Sequence, residues 1–386
     1  MTDFLSEAAS LQSFLQAVRQ TLHRTPELGN QEIKTSAYLR SILEPLGLIV
    51  ENPFGTALCA TLHGARPGRT AALRADMDAL AVTEATGAEF SSQVPGVMHA
   101  CGHDIHMTAA VGAVMLLAAH RETLCGSVRF LFQPDEEGSG GAQRFVDAGC
   151  LRGVDAVFGA HVSPELPLGS VGIRYGKFYA ASDTFSITIR GKSAHGAEPE
   201  KGIDALQAAA QLAARLVSLR GALNGERCAV TVGTLQAGTA INVVADTAQL
   251  TGILRTLGPD SRVRMRTLVT DTAAEIAAQT GTQIDVQLCA SYPGIVNDDG
   301  ASRLVHEIAM QLLGKPCVAV LQQPTLMTED FGYYLSAAYG CFYHVGAGCS
   351  APLHSPHFLP DIRAAVTAAA LHAAVLERTL AEYVPQ

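Results

Sequence analysis

Two hydrophobic rhythms in one chain constrain what it can fold into. Up to about residue 181, helical spacing alternates with short apolar runs. Thr70-Ala71-Ala72-Leu73-Arg74-Ala75 and Gly126-Ser127-Val128-Arg129-Phe130-Leu131-Phe132 are nearly continuous, as strands buried on both faces are. Helical spacing covers residues 11–24, 32–46 (stopped by Pro45-Leu46-Gly47), 108–120 and 141–148, with strands over 56–62 and 154–160. This alternation predicts an α/β domain with a largely parallel sheet. Near Ser182 the period changes. Residues 184–190 (T-F-S-I-T-I-R) alternate strictly, as a half-exposed antiparallel strand does. A helix over 204–220, strands over 229–235 and 247–256, a helix over 260–279 and a strand over 282–288 complete a β-α-β-β-α-β order, the pattern of a ferredoxin-like two-layer α+β sandwich. After Tyr292-Pro293-Gly294 the pattern returns to helices and Gly-rich loops, ending in a helix over 362–382. The expected architecture is an α/β domain made of residues 1–181 and 292–386, with a mostly parallel mixed sheet flanked by helices, interrupted by an inserted sandwich of residues 182–291.

Composition narrows the function. Of the 386 residues 48% are hydrophobic and 16% charged, which excludes a disordered chain. Asp and Glu outnumber Lys and Arg by 36 to 27, the net charge is −9, and no basic cluster occurs, so neither nucleic acid nor an anionic membrane is an expected partner. The N-terminus lacks a basic segment followed by an apolar core, and the run at 108–119 is shorter than the ~20 residues of a membrane span. A cytoplasmic location is expected. Nine Cys without a C-x-x-C pair then read as reduced thiols, mostly buried as small apolar residues.

Side chains that do chemistry gather at the expected strand ends. Five clusters stand out: Asp76-Met77-Asp78, Cys101-Gly102-His103-Asp104-Ile105-His106, Asp135-Glu136-Glu137-Gly138, His161, and His354-Ser355-Pro356-His357. Ligands of open α/β sheets bind outside the carboxyl ends of the strands. Singly, each cluster has an ordinary structural reading. An Asp pair makes turns, Glu136-Glu137 suits a helix start, and a lone His packs in a core. Cys-Gly-His is more telling, because thiolate and imidazole both bind borderline metals and Gly permits a tight loop between them. One Cys, three His and several carboxylates together suit one or two divalent ions such as Zn²⁺, Mn²⁺, Co²⁺ or Ni²⁺.

The strings ALRADMDAL, MHACGHDIHMTAA, FLFQPDEEGSGGA, FGAHVSPELPLGSVG, IRGKSAHGAEPEKGIDAL, INVVADTAQLTGILRT, MTEDFGYYL and PLHSPHF follow one another in that order. They resemble the metal-dependent aminoacylase/carboxypeptidase amidohydrolase family, and within it the branch of hippurate hydrolases and indole-acetyl-amino-acid hydrolases. The resemblance runs from about Arg24 to Arg363. It implies a cytoplasmic enzyme holding two divalent metal ions per subunit and cleaving the amide of N-acyl amino acids. By this resemblance Cys101 bridges the two ions as a thiolate. His103, Glu137, His161 and His354 complete the metal ligands, with His354 rather than His357 at the LHSP position. Glu136 is the general base, and Asp78 fixes the tautomer of His103. Asp104 has a similar supporting role or is a loop hydrogen-bonder.

In the inserted domain the resemblance makes His195 a stabiliser of the tetrahedral oxyanion, reaching the site of a partner subunit. Asn242 and Arg255 hold the substrate's carboxylate or carbonyl. The inserted domain thereby becomes a lid and dimerisation domain, and a homodimer is expected through edge strands or helix packing. Ala81 and Ala245 stand where the family usually has Pro; both are backbone-shaping positions and bear on substrate preference. Two other readings remain: a dipeptidase or small carboxypeptidase using the same site, and a non-catalytic protein binding a metal or an acyl amino acid. The intact Glu136, Cys101 and His set speaks against the second.

Overall fold

In the computed structural model, which describes residues 2–223 and 225–382, the chain begins with α1 (Phe4–Ser10), α2 (Gln12–Arg24), α3 (Ile33–Leu43), β1 (Ile49–Glu51), β2 (Leu58–His63) and β3 (Arg66–Asp76). It continues with α4 (His103–Ala119), β4 (Cys125–Gln133), α5 (Ala142–Asp147), β5 (Ala156–Ser163) and β6 (Val171–Ile173). Then come β7 (Gly176–Tyr179), β8 (Ala181–Arg190), α6 (Ala205–Ser218), β9 (Ala229–Ala237), β10 (Thr247–Thr256), α7 (Pro259–Thr280), β11 (Gln283–Ala290) and β12 (Ile295–Asn297). The chain ends with α8 (Asp299–Leu313), β13 (Val318–Val320), α9 (Gly332–Leu335), β14 (Tyr339–Gly346) and α10 (Ile362–Glu382). Two compact units result: Met1–Gly176, Asn297–Gln322 and Tyr333–Gln386 form one, Lys177–Val296 and Gln323–Gly332 the other.

The first unit holds an eight-stranded mixed sheet in the order β1-β2-β4-β3-β5-β14-β6-β13. Its centre, β4-β3-β5-β14, is parallel throughout, so these four strands point their carboxyl ends the same way. The sheet is packed by helices on its faces. Every residue of β5 is buried, and β3 is buried from Ala71 to Asp76, which explains their unbroken apolar character. Helix α4 is buried along almost its whole length and packs against α10 and α2. A helix covered on all sides has no polar stripe, and its start is set by a break instead. Gly102 adopts φ +85°, and α4 begins at His103 rather than near residue 108, as its apolar spacing alone suggests.

Strand β14 was not expected: Tyr-Gly-Cys-Phe-Tyr-His-Val-Gly reads as an apolar run without period, yet it lies beside β5 in register, His344 opposite His161. Helix α1 was also not expected. Among the described residues one helical segment, Ile362–Ala381 of α10, is long and apolar enough to cross a membrane, and 83% of its most apolar window is buried inside the fold.

The second unit is an antiparallel sheet in the order β11-β8-β10-β9, with α6 and α7 packed on one face. Its core is Phe185, Ile187 and Ile189 of β8 with Leu212 and Leu216 of α6 and Met265, Val269 and Ile276 of α7. The inward residues of β8 are every second one, as the period-two reading requires. The Asp204 carboxylate caps α6 by accepting from the N–H groups of Leu206 and Gln207.

A Cβ at Gly102 would lie 2.5 Å from Val162 Cγ2, at a backbone conformation that L-residues disfavour. Gly102→Ala is therefore expected to destabilise the protein by about 2–4 kcal/mol, read as a lower urea midpoint at unchanged slope.

Candidate metal centre

The parallel strands deliver the candidate site residues from separate segments to one end of the sheet. Asp78 lies two residues beyond β3, and Glu136 and Glu137 follow β4. His161 lies within β5, Cys101 and His103 flank Gly102 at the start of α4, and His354 sits in the loop after β14. Ligand atoms of Cys101, His103 and His161 lie within 4.8 Å of one another, as do those of Cys101, Glu137 and His354, and those of His103, Glu136 and Glu137. Cys101 is thus common to two donor groups. Its Sγ is 3.3 Å from His161 Nε2, and His354 Nε2 is 3.1 Å from Glu137 Oε1.

Each imidazole is oriented by its other nitrogen. His103 Nδ1 is 2.9 Å from the Asp78 carbonyl and 3.2 Å from Asp78 Oδ1, which makes it a donor and leaves Nε2 as the nitrogen that can meet a metal. Buried His103 Nε2 has no hydrogen-bond partner. His161 Nδ1 donates to the Val162 carbonyl at 2.7 Å, directing Nε2 toward Cys101. Asp78 also accepts from the Glu137 N–H at 3.0 Å, so one carboxylate positions two candidate ligands.

The electrostatics favour positive charge. Burial works against a cation at His103, but Asp76, Asp78 and Glu137 outweigh it and hold its pKa up at about 10. The Glu137 carboxylate beside its Nε2 raises His354. Burial, then the Glu137 and Glu136 carboxylates, push the Cys101 thiol up. An orphaned imidazole nitrogen, a shared thiol and a field that draws cations fit divalent metal ions.

Sequence reasoning gave no role to several residues that hold this centre. Fully buried Asp76 accepts from His106 Nδ1 and from Arg74 Nη1, both at 2.6 Å. His106 Nε2 accepts the Val162 N–H at 2.9 Å. Both His106 nitrogens are thereby used in locking α4 to β3 and β5, although His103 and His106 share a helix face at i,i+3, a spacing that could have revealed the pair. Glu32 fixes the loop carrying Glu136 by accepting from the Asp135 and Asn30 N–H groups at 3.0 Å each, and from the Thr56 hydroxyl at 2.6 Å.

Asp104 faces Arg19 (3.0 Å) and His23 (2.8 Å), with His23 also 3.3 Å from Glu84. The Asp104 carboxylate thus contacts α2, as a hydrogen-bonder between helices. His357 is exposed and its Nδ1 donates to the Ala85 carbonyl, outside the donor groups.

The remaining candidates belong to the second unit. His195 is exposed and bridges to Val243, and the Gly196 N–H donates to the Asn242 carbonyl at 2.8 Å, so His195 and Asn242 share one loop pair. Arg255 lies toward the opposite end of β10, across from Ser182, whereas Thr247 at the near end faces Arg190. Eight residue steps along the strand separate Arg255 from Thr247, about 27 Å at ~3.4 Å per step.

An α/β fold with such a donor set at the carboxyl ends of its parallel strands defines a metal-dependent hydrolase. The chain belongs to peptidase family M20/M25/M40, whose profile matches residues 72–378. It is 37% identical to an N-acetylcysteine deacetylase of Bacillus subtilis, with 91% of this chain and 93% of the relative covered. It is 36% identical to an IAA-amino acid hydrolase (ILR1-like 4) of Arabidopsis thaliana, with 95% and 85% covered. A solved Bacillus subtilis protein, described as a dinuclear metal-binding peptidase of family M20, superposes with a TM-score of 0.88 at 33% identity, covering 96% of this chain and 99% of that one. The sequence motifs pointed to this family.

The buried ion pairs around Asp104 set a pH dependence. Burial opposes charge on His23, yet Asp104 and Glu84 raise its pKa to about 9. The unfolded value is near 6.5. The stabilisation, of order 3 kcal/mol, is full below pH ~6.5 and is lost as pH rises through about 9. His23→Gln should flatten that part of the profile when unfolding is measured between pH 6 and 10.

Proposed function

We propose that the protein hydrolyses the amide bond of N-acyl amino acids, with N-acetyl, N-benzoyl or similar acyl groups, to a carboxylate and a free amino acid. The observation that carries this reading is Glu136 set beside two donor groups that share Cys101. Two divalent ions, of the Zn, Mn, Co or Ni kind, would be held by Cys101, His103, Glu137, His161 and His354. When bound, they supply Lewis acidity to the amide carbonyl and lower the pKa of water. Glu136 takes the proton of the attacking water and passes it to the leaving amine nitrogen. Asp78 keeps His103 in the tautomer that presents Nε2. The names of the deacetylase and the IAA-amino acid hydrolase support an N-acyl amino acid as substrate.

His195 donates a hydrogen bond to the tetrahedral oxyanion, Asn242 binds the substrate's polar groups, and Arg255 pairs with its carboxylate through the bidentate fork. The ~27 Å between the two ends of β10 exceeds a small substrate. This supports a homodimer in which residues 182–291 act as lid and dimerisation domain and His195 serves the partner's site, while residues 1–181 and 292–386 form the catalytic domain.

A panel of N-acetyl, N-benzoyl and indole-acetyl amino acids beside dipeptides tests the reading. Turnover of the acyl amino acids is expected, and turnover of dipeptides alone would make the enzyme a dipeptidase. Glu136→Gln should lower kcat by ~10²–10⁴-fold while metal content, measured on the same sample, stays at the wild-type level. Co-expressed Glu136→Gln and His195→Ala subunits, each inactive alone, should regain about a quarter of wild-type activity, because half the dimers are mixed and each has one complete site. No recovery would place His195 in its own subunit's site.

A further inference from the structure

Eight of the nine cysteines lie outside the candidate metal centre, and two of them meet. Cys59 is on β2, opposite Glu51 of β1 and Leu131 of β4. Cys150 follows α5 in a turn held at both ends of the peptide. Its N–H donates to the Phe145 carbonyl at 3.0 Å, and its carbonyl accepts from Arg129 Nη1 at 2.6 Å. Arg129 Nη1 also reaches the Arg152 carbonyl, at 2.8 Å. Both cysteines and Arg129 line one cavity of about 580 Å³ to which no candidate metal ligand contributes.

The two thiols share this cavity and influence one another, and they are unequal. Cys59 is 5% exposed, while Cys150 is half-buried and can be reached from the cavity. The neighbouring Cys150 and burial push Cys59 up, whereas the neighbouring Cys59 and the Arg129 guanidinium draw Cys150 below the ordinary thiol value. Accessible from the cavity and beside Arg129, Cys150 is the thiol suited to nucleophilic attack, and Cys59 is the shielded one.

We propose that Cys59 and Cys150 form a redox-active dithiol that hydroperoxides oxidise to an intramolecular disulfide. The Cys150 thiolate attacks the hydroperoxide. An S–O bond forms, the O–O bond breaks, and the departing alkoxide or hydroxide takes up a proton equivalent to the one Cys150 released. Cys150 is then a sulfenic acid. The Cys59 sulfur attacks the Cys150 sulfur, forming S–S and breaking S–O. The leaving hydroxide combines with the Cys59 proton as water. The two thiols together lose two electrons, and the peroxide gains them. An external thiol reverses the reaction by exchange. Burial keeps Cys59 from oxidant, so it acts only as the resolving partner.

The test uses the full-length, metal-loaded protein, reduced and then treated with hydrogen peroxide. Remaining thiols are blocked with N-ethylmaleimide after unfolding, and the protein is digested without reductant. Trypsin cuts after Arg40, Arg69, Arg144 and Arg152, which leaves each cysteine alone in its peptide. The expected product is these two peptides joined, lighter by two hydrogens than their sum and separated by dithiothreitol. In Cys59→Ser, Cys150 should stop at the sulfenic acid and be trapped by dimedone; in Cys150→Ser, Cys59 should remain a free thiol. Recovery of Cys59 wholly as its maleimide adduct from oxidised wild type, or Cys150 joined to any other cysteine, overturns the proposal. The wild-type measurement stands whether or not either variant folds.

Discussion

Buried negative charge is the constraint around which the first unit is built. Asp76, Asp78, Asp104 and Glu136 are all nearly inaccessible to water, and Glu137 is partly so. An isolated buried carboxylate is prohibitively costly, so each needs a compensating donor or cation. Asp76 takes Arg74 and His106; Asp104 takes Arg19 and His23. Asp104 follows His103 in the chain and Asp76 lies 3.7 Å from its Nε2, and their partners come from α2, β3 and α4. Arrangement of the charges therefore also fixes the packing of those elements. The carboxylates of Glu136 and Glu137, with the Cys101 thiol, remain gathered on the side where His103, His161 and His354 present nitrogen. Asp76 and Asp104 thus belong to the scaffold, and the residues of the shared donor groups to the candidate metal centre.

The division explains what could be read from the chain. Cys101, His103, Glu136, Glu137, His161 and His354 stand out because coordination chemistry tolerates few residue types and places them after strands. Asp76 and His106 sit inside the same strings but carry no signal of role. Only the fold shows that His106 spends both nitrogens on Asp76 and Val162. Glu32 reads as a helix residue, and its hold on the Asp135 loop crosses more than a hundred residues of sequence. Long-range polar pairing leaves no periodicity to detect.

The secondary structure divides in the same way. Strand β10 and the order of the second unit follow from period-two alternation, because that sheet has helices on one face only. In the first unit burial is two-sided and the alternation vanishes. Strand β14 was missed for this reason, since an aromatic run between glycines gives no period. The start of α4 was misplaced because His103, Asp104 and His106 interrupt the apolar run where the helix enters the site. Their polarity marks the candidate metal centre and not a loop.

Strain falls at the same places. Among the described non-glycine residues, positive φ occurs at Asn30, Asp135 and His354, and Gly102 has φ +85° between Cys101 and His103. Such conformations cost of order 1–3 kcal/mol at a non-glycine residue and persist only where neighbours enforce them. The His354 N–H is tied to the Ala100 carbonyl at 2.8 Å, next to Cys101, and the Asp135 N–H to Glu32 at 3.0 Å. Asn30 Nδ2 donates to Asp135 at 2.7 Å. Two of the strained positions, Asn30 and Asp135, thus support one another, and the third, His354, is held beside Cys101 by Ala100. The dense packing of α4 and α10 supplies the stability that this conformation draws on. A donor set held by such ties loses little conformational freedom when it engages a cation or substrate, so less of the binding energy is spent on ordering the protein.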